Sequence, residues 1–324
     1  MNSRALATEG LDRRPRTLKV GLDVTVLMGG PSSERDVSLL SGGAIADALA
    51  SVGHCVSRAD ISPQDASALD RRGIDVVFIA LHGDFGESGQ VQRLCEQHHL
   101  RYTGSPPRAS EMAMDKAVAK ELFAGAGLTV AKSLVATAAD KPRTLAKALD
   151  RLGLPVVLKP VDGGSSVDIT IARTAAIRDA AVAALLGKYG RAMAEEFVPG
   201  REFTVGILGD QALPVLEIVP AREFYDYTAK YADGAGTRYV FDHGLPDQTV
   251  RSLQSAALAA HQVLGCRDMS RVDFILPPSG VPVVLEINTI PGFTSHSLLP
   301  MAAAKAGVNF AELVSRIAMM AMQR

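Results

Sequence analysis

Asp273 and Glu286 stand in two short runs, Arg271-Val272-Asp273-Phe274-Ile275-Leu276 and Val283-Val284-Leu285-Glu286-Ile287-Asn288. The turn-like Pro277-Pro278-Ser279-Gly280 separates the runs, as in a β-hairpin. A turn centred between Ser279 and Gly280 sets Asp273 opposite Glu286 and Arg271 opposite Asn288. The four polar groups then share one face, and Val272, Phe274, Leu285 and Ile287 take the other. Two facing carboxylates repel, and burying them without compensation is costly. A divalent cation resolves the conflict. Two carboxylates and the amide oxygen of Asn288 make a hard, all-oxygen site suited to Mg²⁺, with phosphate oxygens and water in the remaining positions. From the hairpin alone, a solvated polar face is an equal alternative. The exit Asn288-Thr289-Ile290-Pro291-Gly292 turns backbone amides toward the same face and favours the cation.

Lys159 lies in an otherwise apolar strand, Pro155 to Pro160, where a buried ammonium needs an anion such as a triphosphate. The loop Asp162-Gly163-Gly164-Ser165-Ser166 follows at once. Its amides and hydroxyls can close over phosphates as a backbone nest does, although such a loop on its own is more often a linker. No GxxxxGK[ST] run is present. Lys116, at the start of a helix, reads by itself as a solvated lysine. Glu195-Glu196-Phe197-Val198 leads into Pro199-Gly200. It is either a hinge whose backbone reads an adenine, with Glu202 taking ribose hydroxyls, or a charged strand end.

These groups need elements to carry them. Leu22 to Met28 reads as a buried strand entering Gly29-Gly30, with turn and cap chemistry in Pro31, Ser32 and Ser33. Helical spacing follows through Val37, Leu40, Ala44 and Leu49. A second strand, Asp75 to Leu81, ends at His82-Gly83 before a helix through Val91 and Leu94. This is the grammar of a parallel sheet, whose ligands lie beyond the carboxyl ends of its strands. Ser33, Glu34, His82 and Glu87 fall there. After a break at Ser105-Pro106-Pro107, helices Asp115–Ala124, Arg143–Leu152 and Ala175–Leu186 alternate with strands Val130–Val135, Pro155–Pro160, Asp168–Arg173 and Met193–Val198 in an α+β unit. Strands Glu202–Leu208 and Leu213–Val219 open the last region. A polar stretch from Arg222 to Gln248 lacks a clear period and is long enough to be a functional lid. Helix Val250–Leu264, the hairpin and two helices complete the chain.

The 324 residues are 47% hydrophobic and 21% charged, enough for two or three domains. A net charge of -1 gives no reason to expect nucleic acid or an anionic membrane as partner. No apolar run reaches the roughly 18 residues that span a bilayer. Three unpatterned cysteines, Cys55, Cys95 and Cys266, argue for a reducing compartment. The polar, basic first 20 residues lack the core of a secretion signal and read as a disordered tail.

The stretches LMGGPSSERDVSL, ALHGDFGESG, YTGS, MDK, LKPVDGGSSV, REFTV, FYDYTAKY, RVDFILP, LEINTIPGFTSHSL and PMAAAKAG occur in this order. Together they resemble the D-alanine–D-alanine ligase family of ATP-grasp enzymes, from about Val24 to the C-terminus. The resemblance implies an α/β (α+β) fold. A Rossmann-like domain with a parallel sheet at 21–106 would precede a two-lobed ATP-grasp fold, with lobes 107–200 and 201–324 and a mobile loop at 222–248. It implies that Lys116, Lys159, Glu195, Phe197, Val198 and Glu202 hold the nucleotide, with Ser165 and Ser166 in the loop over its phosphates and Lys230 on the γ-phosphate. Asp273, Glu286 and Asn288 would bind two Mg²⁺ ions, with Mn²⁺ able to substitute. Glu34 would bind the amine of the first D-alanine, with His82 near its carboxylate. Arg271 and the Gly292 amide would stabilise the oxyanion, and Ser297 and Leu298 would hold the second substrate's carboxylate. Glu34, Ser165 and Tyr231 would form a hydrogen-bonded set closing the site. A cytoplasmic homodimer serving peptidoglycan synthesis is implied as well.

The chain departs from the family's usual pattern at Ser88, Asp168, Phe293 and Asp242-His243. None of these removes a proposed catalytic group, but they leave open D-lactate or D-serine as second substrate. Tyr231 favours an amine, since relatives using D-lactate often carry phenylalanine there. A nucleotide-binding protein without ligase activity is disfavoured because metal, phosphate and oxyanion groups are all present. A Rossmann oxidoreductase fails because no GxGxxG follows Leu27.

Overall fold

The structure, a computed structural model, describes residues 21–164, 167–220, 236–294 and 296–324. The expected tail, Ser165, Ser166, Lys230, Tyr231 and most of the expected loop lie outside the described residues.

β1 (Asp23–Met28) lies between β2 (Cys55–Asp60) and β3 (Val76–Ile79), all parallel. Successive side chains serve opposite faces. Val24, Val26 and Phe78 join one core, and Leu27, Val77 and Ile79 join another. α1 (Arg35–Ser51) covers the first face, but not with the side expected from Val37 and Leu40. Its buried residues are Ser38, Ser41, Gly42, Ile45, Ala46 and Leu49, and Leu40 is 67% exposed. Small residues let the helix approach closely, and a Cβ on Gly42 would lie 2.4 Å from that of Met28. Two short helices, α2 (Asp84–Glu87) and α3 (Gln90–Gln97), follow β3.

α4 (Pro107–Met114) and α5 (Lys116–Gly125) precede an antiparallel sheet of β4 (Ser133–Thr137), β7 (Arg191–Glu196), β5 (Val156–Pro160) and β6 (Thr170–Ala172), in that order. α6 (Pro142–Asp150) and α7 (Ala175–Tyr189) cover one face over Val156, Leu158, Ala172, Ala192 and Ala194. The alternate residues Val157, Lys159, Ile171 and Glu195 face a cavity on the other side.

The last sheet runs β11 (Arg238–Val240), β10 (Leu216–Val219), β8 (Arg201–Leu208), β12 (Met269–Leu276), β13 (Val283–Asn288), with β9 (Gln211–Ala212) beside β8. α8 (Asp247–Val263) packs on it. The stretch read as one loop to Gln248 therefore contains a strand, which pairs with β10, and the first two residues of a helix. α4 and α5 pack on this sheet too, through Ala109, Ala113 and Phe123 against Phe274, Val284 and Ile287. Sequence order had grouped them with the preceding unit. α9 (Leu298–Lys305) and α10 (Phe310–Met322) fold back onto the N-terminal sheet, where Leu299, Leu313 and Ile317 meet Val24, Val26 and Phe78. Among the described residues no helix is long and apolar enough to cross a membrane.

Candidate active site

The β12–β13 hairpin takes the expected register, with Asp273 opposite Glu286 and Arg271 opposite Asn288. It then slips. Phe274 pairs with Val284, so a bulge falls at Leu285. An extra residue on one strand leaves two neighbours on the same side. Leu285 therefore turns to the site face with Glu286, where the regular alternation had placed it in the core. With Ile275 it gives an apolar floor to a cavity of about 370 Å³ between the two antiparallel sheets.

Lys159, Glu195, Phe197, Val198 and Glu202 line that cavity, together with Asp273 and Glu286. Lys159 is 7% exposed, and its anion in this structure is Glu195. Burial pushes the Glu195 carboxyl up, but Lys159 and Lys120 more than offset this and hold it below the ordinary carboxylate range. At the rim, Arg201 forks onto Glu217 at 2.7 and 2.6 Å and donates to the His243 carbonyl at 2.7 Å.

A second cavity, of about 100 Å³, shares Glu286 with the first. Asn288, Arg271 and Lys116 line it from one side, Glu34 and His82 from the N-terminal domain, and Gly292, Ser297 and Leu298 from the chain after the hairpin. Lys116 is buried rather than solvated. It donates to the Gly163 carbonyl and lies 3.5 Å from Glu286. It is on the inner side because Asp115 caps α5, accepting from the amides of Ala117 and Val118 at 2.9 and 3.0 Å. Glu34 is fixed at the start of α1, where Ser32 Oγ accepts from its amide at 3.0 Å. His82 Nδ1 lies 3.3 Å from Glu87, whereas its buried Nε2 has no hydrogen-bond partner among the described residues. An orphaned donor or acceptor in a polar cavity is a place for a substrate group. Burial raises the Glu87 carboxyl, with His82 opposing. Gly292 comes so close to Ser297 that a Cβ would lie 2.8 Å from its Oγ, and that Oγ accepts from the Thr294 amide at 2.9 Å.

Arg271 donates to both oxygens of Asp273 at 2.9 and 2.8 Å, and Thr204 donates to Oδ1 at 2.6 Å. Asn288 Oδ1 accepts from the Ile290 amide at 2.9 Å. A carboxylate offers about four lone-pair sites, so these bonds orient Asp273 without exhausting it. The donor set of Asp273, Glu286 and Asn288 suits a hard cation. Among the described residues no three acidic, histidine or cysteine side chains gather into another such site.

Sequence reasoning passed over Lys120, Ile275, Glu217 and Thr204. Lys120 was accessible to it, because it stands four residues after Lys116 and hence on the same helix face.

The departures now have physical readings. Asp168 has a φ of 56°, a conformation glycine adopts freely, and is held by Lys188 at 2.5 Å and by Tyr189. Ser88 ends α2, and its hydroxyl accepts from Gln90 at 3.2 Å. His243 packs edge-on against Phe203, whereas Asp242 is solvated. Phe293 is 1% exposed and meets Phe78 and Phe310 edge-on, at 5.9 and 6.2 Å between ring centres. It belongs to the core and not to a substrate wall. Phe293→Met is therefore expected to lower Tm by a few degrees while leaving the ratio of D-alanine to D-lactate use unchanged. A shifted ratio in parallel assays would return Phe293 to the site.

Two antiparallel sheets closing over a lysine- and carboxylate-lined cavity, behind a domain with a parallel sheet, define an ATP-grasp protein. A family model described as "D-ala D-ala ligase C-terminus" matches residues 122–319, and one described as "D-ala D-ala ligase N-terminus" matches residues 56–105. A D-alanine–D-alanine ligase of Anaeromyxobacter sp. (strain K) is 44% identical over 301 residues, covering 92% of this chain and 96% of the relative. The Bacillus anthracis D-alanine–D-alanine ligase complexed with ATP superposes with a TM-score of 0.81 at 30% identity, over 94% of this chain and 97% of that one. The VanG D-Ala:D-Ser ligase of Enterococcus faecalis does so with a TM-score of 0.83 at 27% identity, over 93% and 99%. The chain belongs to the D-alanine–D-alanine ligase family.

Proposed function

We propose that the protein joins two D-alanines into D-alanyl-D-alanine with conversion of ATP to ADP and phosphate. The observation that carries this reading is the meeting of two cavities at Glu286. One is apolar with a lysine–carboxylate wall suited to a nucleotide, and the other is polar and reaches Glu34 and His82.

A carboxylate is a poor electrophile, so its oxygen first attacks the γ-phosphorus of ATP, the bond to the β-phosphate oxygen breaks, ADP departs and an acyl phosphate forms. Glu34 holds the ammonium group of the first D-alanine, and the orphaned His82 Nε2 faces its carboxylate. Lys116 and Lys159 meet the phosphate charge. Asp273, Glu286 and Asn288 would hold Mg²⁺, which neutralises the transferring phosphoryl group when bound. Two such ions, with Mn²⁺ able to replace them, belong to the same reading. The second amine, its carboxylate held by Ser297 and the backbone of Leu298, then attacks the activated carbonyl. Arg271 and the Gly292 amide meet the charge that develops on oxygen, and phosphate leaves. Lys230 is assigned to the γ-phosphate, Ser165 and Ser166 to the loop over the phosphates, and Glu34, Ser165 and Tyr231 to a hydrogen-bonded set that closes the site against water. The reading extends to a cytoplasmic homodimer that supplies peptidoglycan synthesis, with 21–106, 107–200 and 201–324 as its units.

The test is phosphate release together with dipeptide formation from ATP, Mg²⁺ and D-alanine, lost with a chelator and restored by Mg²⁺ or Mn²⁺. Bound ATP with neither product would sink the reading. The likeness to a D-Ala:D-Ser ligase keeps a second acceptor in view, and phosphate without dipeptide would point to it. Tyr231→Phe is expected to raise use of D-lactate relative to D-alanine; the same ratio at every pH would remove Tyr231 from that choice.

A further inference from the structure

Lys120 on α5 is 4% exposed, and its Nζ donates to Glu195 Oε1 at 2.5 Å. The other oxygen of Glu195 meets Lys159. Glu195 is itself 2% exposed, so two ammonium groups share one carboxylate inside the protein. Buried charge is tolerated when it is paired, and this cluster is one negative charge short. The two lysines differ in position. Lys159 and Glu195 line the 370 Å³ cavity, whereas Lys120 stands behind Glu195 and off the cavity wall. Lys159 is therefore the cation an entering phosphate can draw away, and Lys120 is the one that stays. Its mount is firm, since Ala119 and Phe123 of the same helix are packed in the core beneath the six-stranded sheet.

We infer that Lys120 is a positioning residue for the nucleotide. It keeps Glu195 paired and aimed into the cavity after Lys159 has turned to phosphate, and so sets a preference for a base with an exocyclic amino group. The inference rests on the ATP-dependent reading above. An ionised carboxylate only accepts hydrogen bonds. Fixed at the edge of an apolar slot, it receives the amino group of adenine and repels the 6-oxo group of hypoxanthine. Left alone beside Ile275 and Leu285 once Lys159 has departed, it would swing or take up a proton and lose that discrimination. Lys120 touches neither substrate nor reacting atoms in this scheme.

The experiment compares wild type, Lys120→Met and Lys120→Arg in phosphate release with ATP and with ITP at saturating D-alanine, with Tm recorded for each. Lys120→Met is expected to raise KM for ATP by about tenfold or more and to lower the preference for ATP over ITP by a similar factor, the size of one lost hydrogen bond to a charged group. Its kcat should stay within about threefold of wild type, since uniform binding is what is removed. Lys120→Arg should restore most of the preference. A folded Lys120→Met with wild-type KM and wild-type preference overturns the inference, and so does an equal loss for both nucleotides, which marks a merely structural lysine. Should Lys120→Met fail to fold, Lys120→Gln, which keeps a hydrogen-bond donor for Glu195 but no charge, decides. Wild-type preference for ATP over ITP there overturns the inference, and a lowered preference supports it. Wild-type protein that releases no phosphate with ATP and D-alanine sinks the ligase reading instead, so the two failures are distinct.

Discussion

Glu286→Gln is expected to give a folded protein whose turnover falls by about a thousandfold or more, as when a group that meets transition-state charge is removed. Glu286 faces Asp273 across the hairpin and is the residue at which the two cavities join. Glutamine keeps its shape and one oxygen but not its charge, so it is a poor ligand for a cation and a poor partner for Lys116. The Glu286 side chain is 32% exposed, its ion pair with Lys116 is long at 3.5 Å, and it stands against another carboxylate. Tm should therefore move by no more than about 3 °C, or rise. Turnover within threefold of wild type would refute the metal assignment; a collapse of Tm would show that Glu286 holds the hairpin together rather than a cation.

The hairpin was legible in the sequence because its signals are local. A turn and a period-two alternation fix which residues oppose one another, and Asp273, Glu286, Arg271 and Asn288 fell where the pattern put them. The bulge at Leu285 was not legible, because a bulge adds one apolar residue to an already apolar strand. α1 was misread for a related reason. Its contact face joins the expected Leu49, with Ile45 and Ala46, to Ser38, Ser41 and Gly42, the last of which lets the helix approach β1 closely, so a search for large apolar residues found Leu49 but also selected the exposed Leu40. β2 was missed because Cys55-Val56-Ser57-Arg58-Ala59-Asp60 is a half-exposed edge strand with a mixed pattern. Lys116 and Lys120 show the limit most clearly. A lysine near a helix start is solvated by default, and only the sheets that converge on α5 show that Lys116 is inside the protein; Lys120, one turn further along the same face, follows once Lys116 is placed.

Arg271→Lys separates charge from geometry at the same hairpin. Arg271 presents two parallel donors to Asp273, and the side chains are 13% and 9% exposed. Lysine retains the positive charge but lacks the planar fork. A single ammonium satisfies one oxygen of Asp273 and leaves the carboxylate free to rotate about Thr204. If the fork aims one carboxylate at a cation and one guanidinium at a developing oxyanion, both aims are lost together. The expected result is a fall in kcat of about a hundredfold or more, with KM for ATP changed by less than about threefold, because Lys159, Glu195 and the apolar floor are untouched. Arg271→Met should behave differently. It strands a buried carboxylate without its partner, which is strongly destabilising, so Tm falls as well as kcat. Steady-state kinetics and thermal unfolding of the two variants side by side check the distinction. An Arg271→Lys enzyme with wild-type kcat would mean that positive charge alone suffices, and the fork onto Asp273 would then serve the fold rather than the reaction.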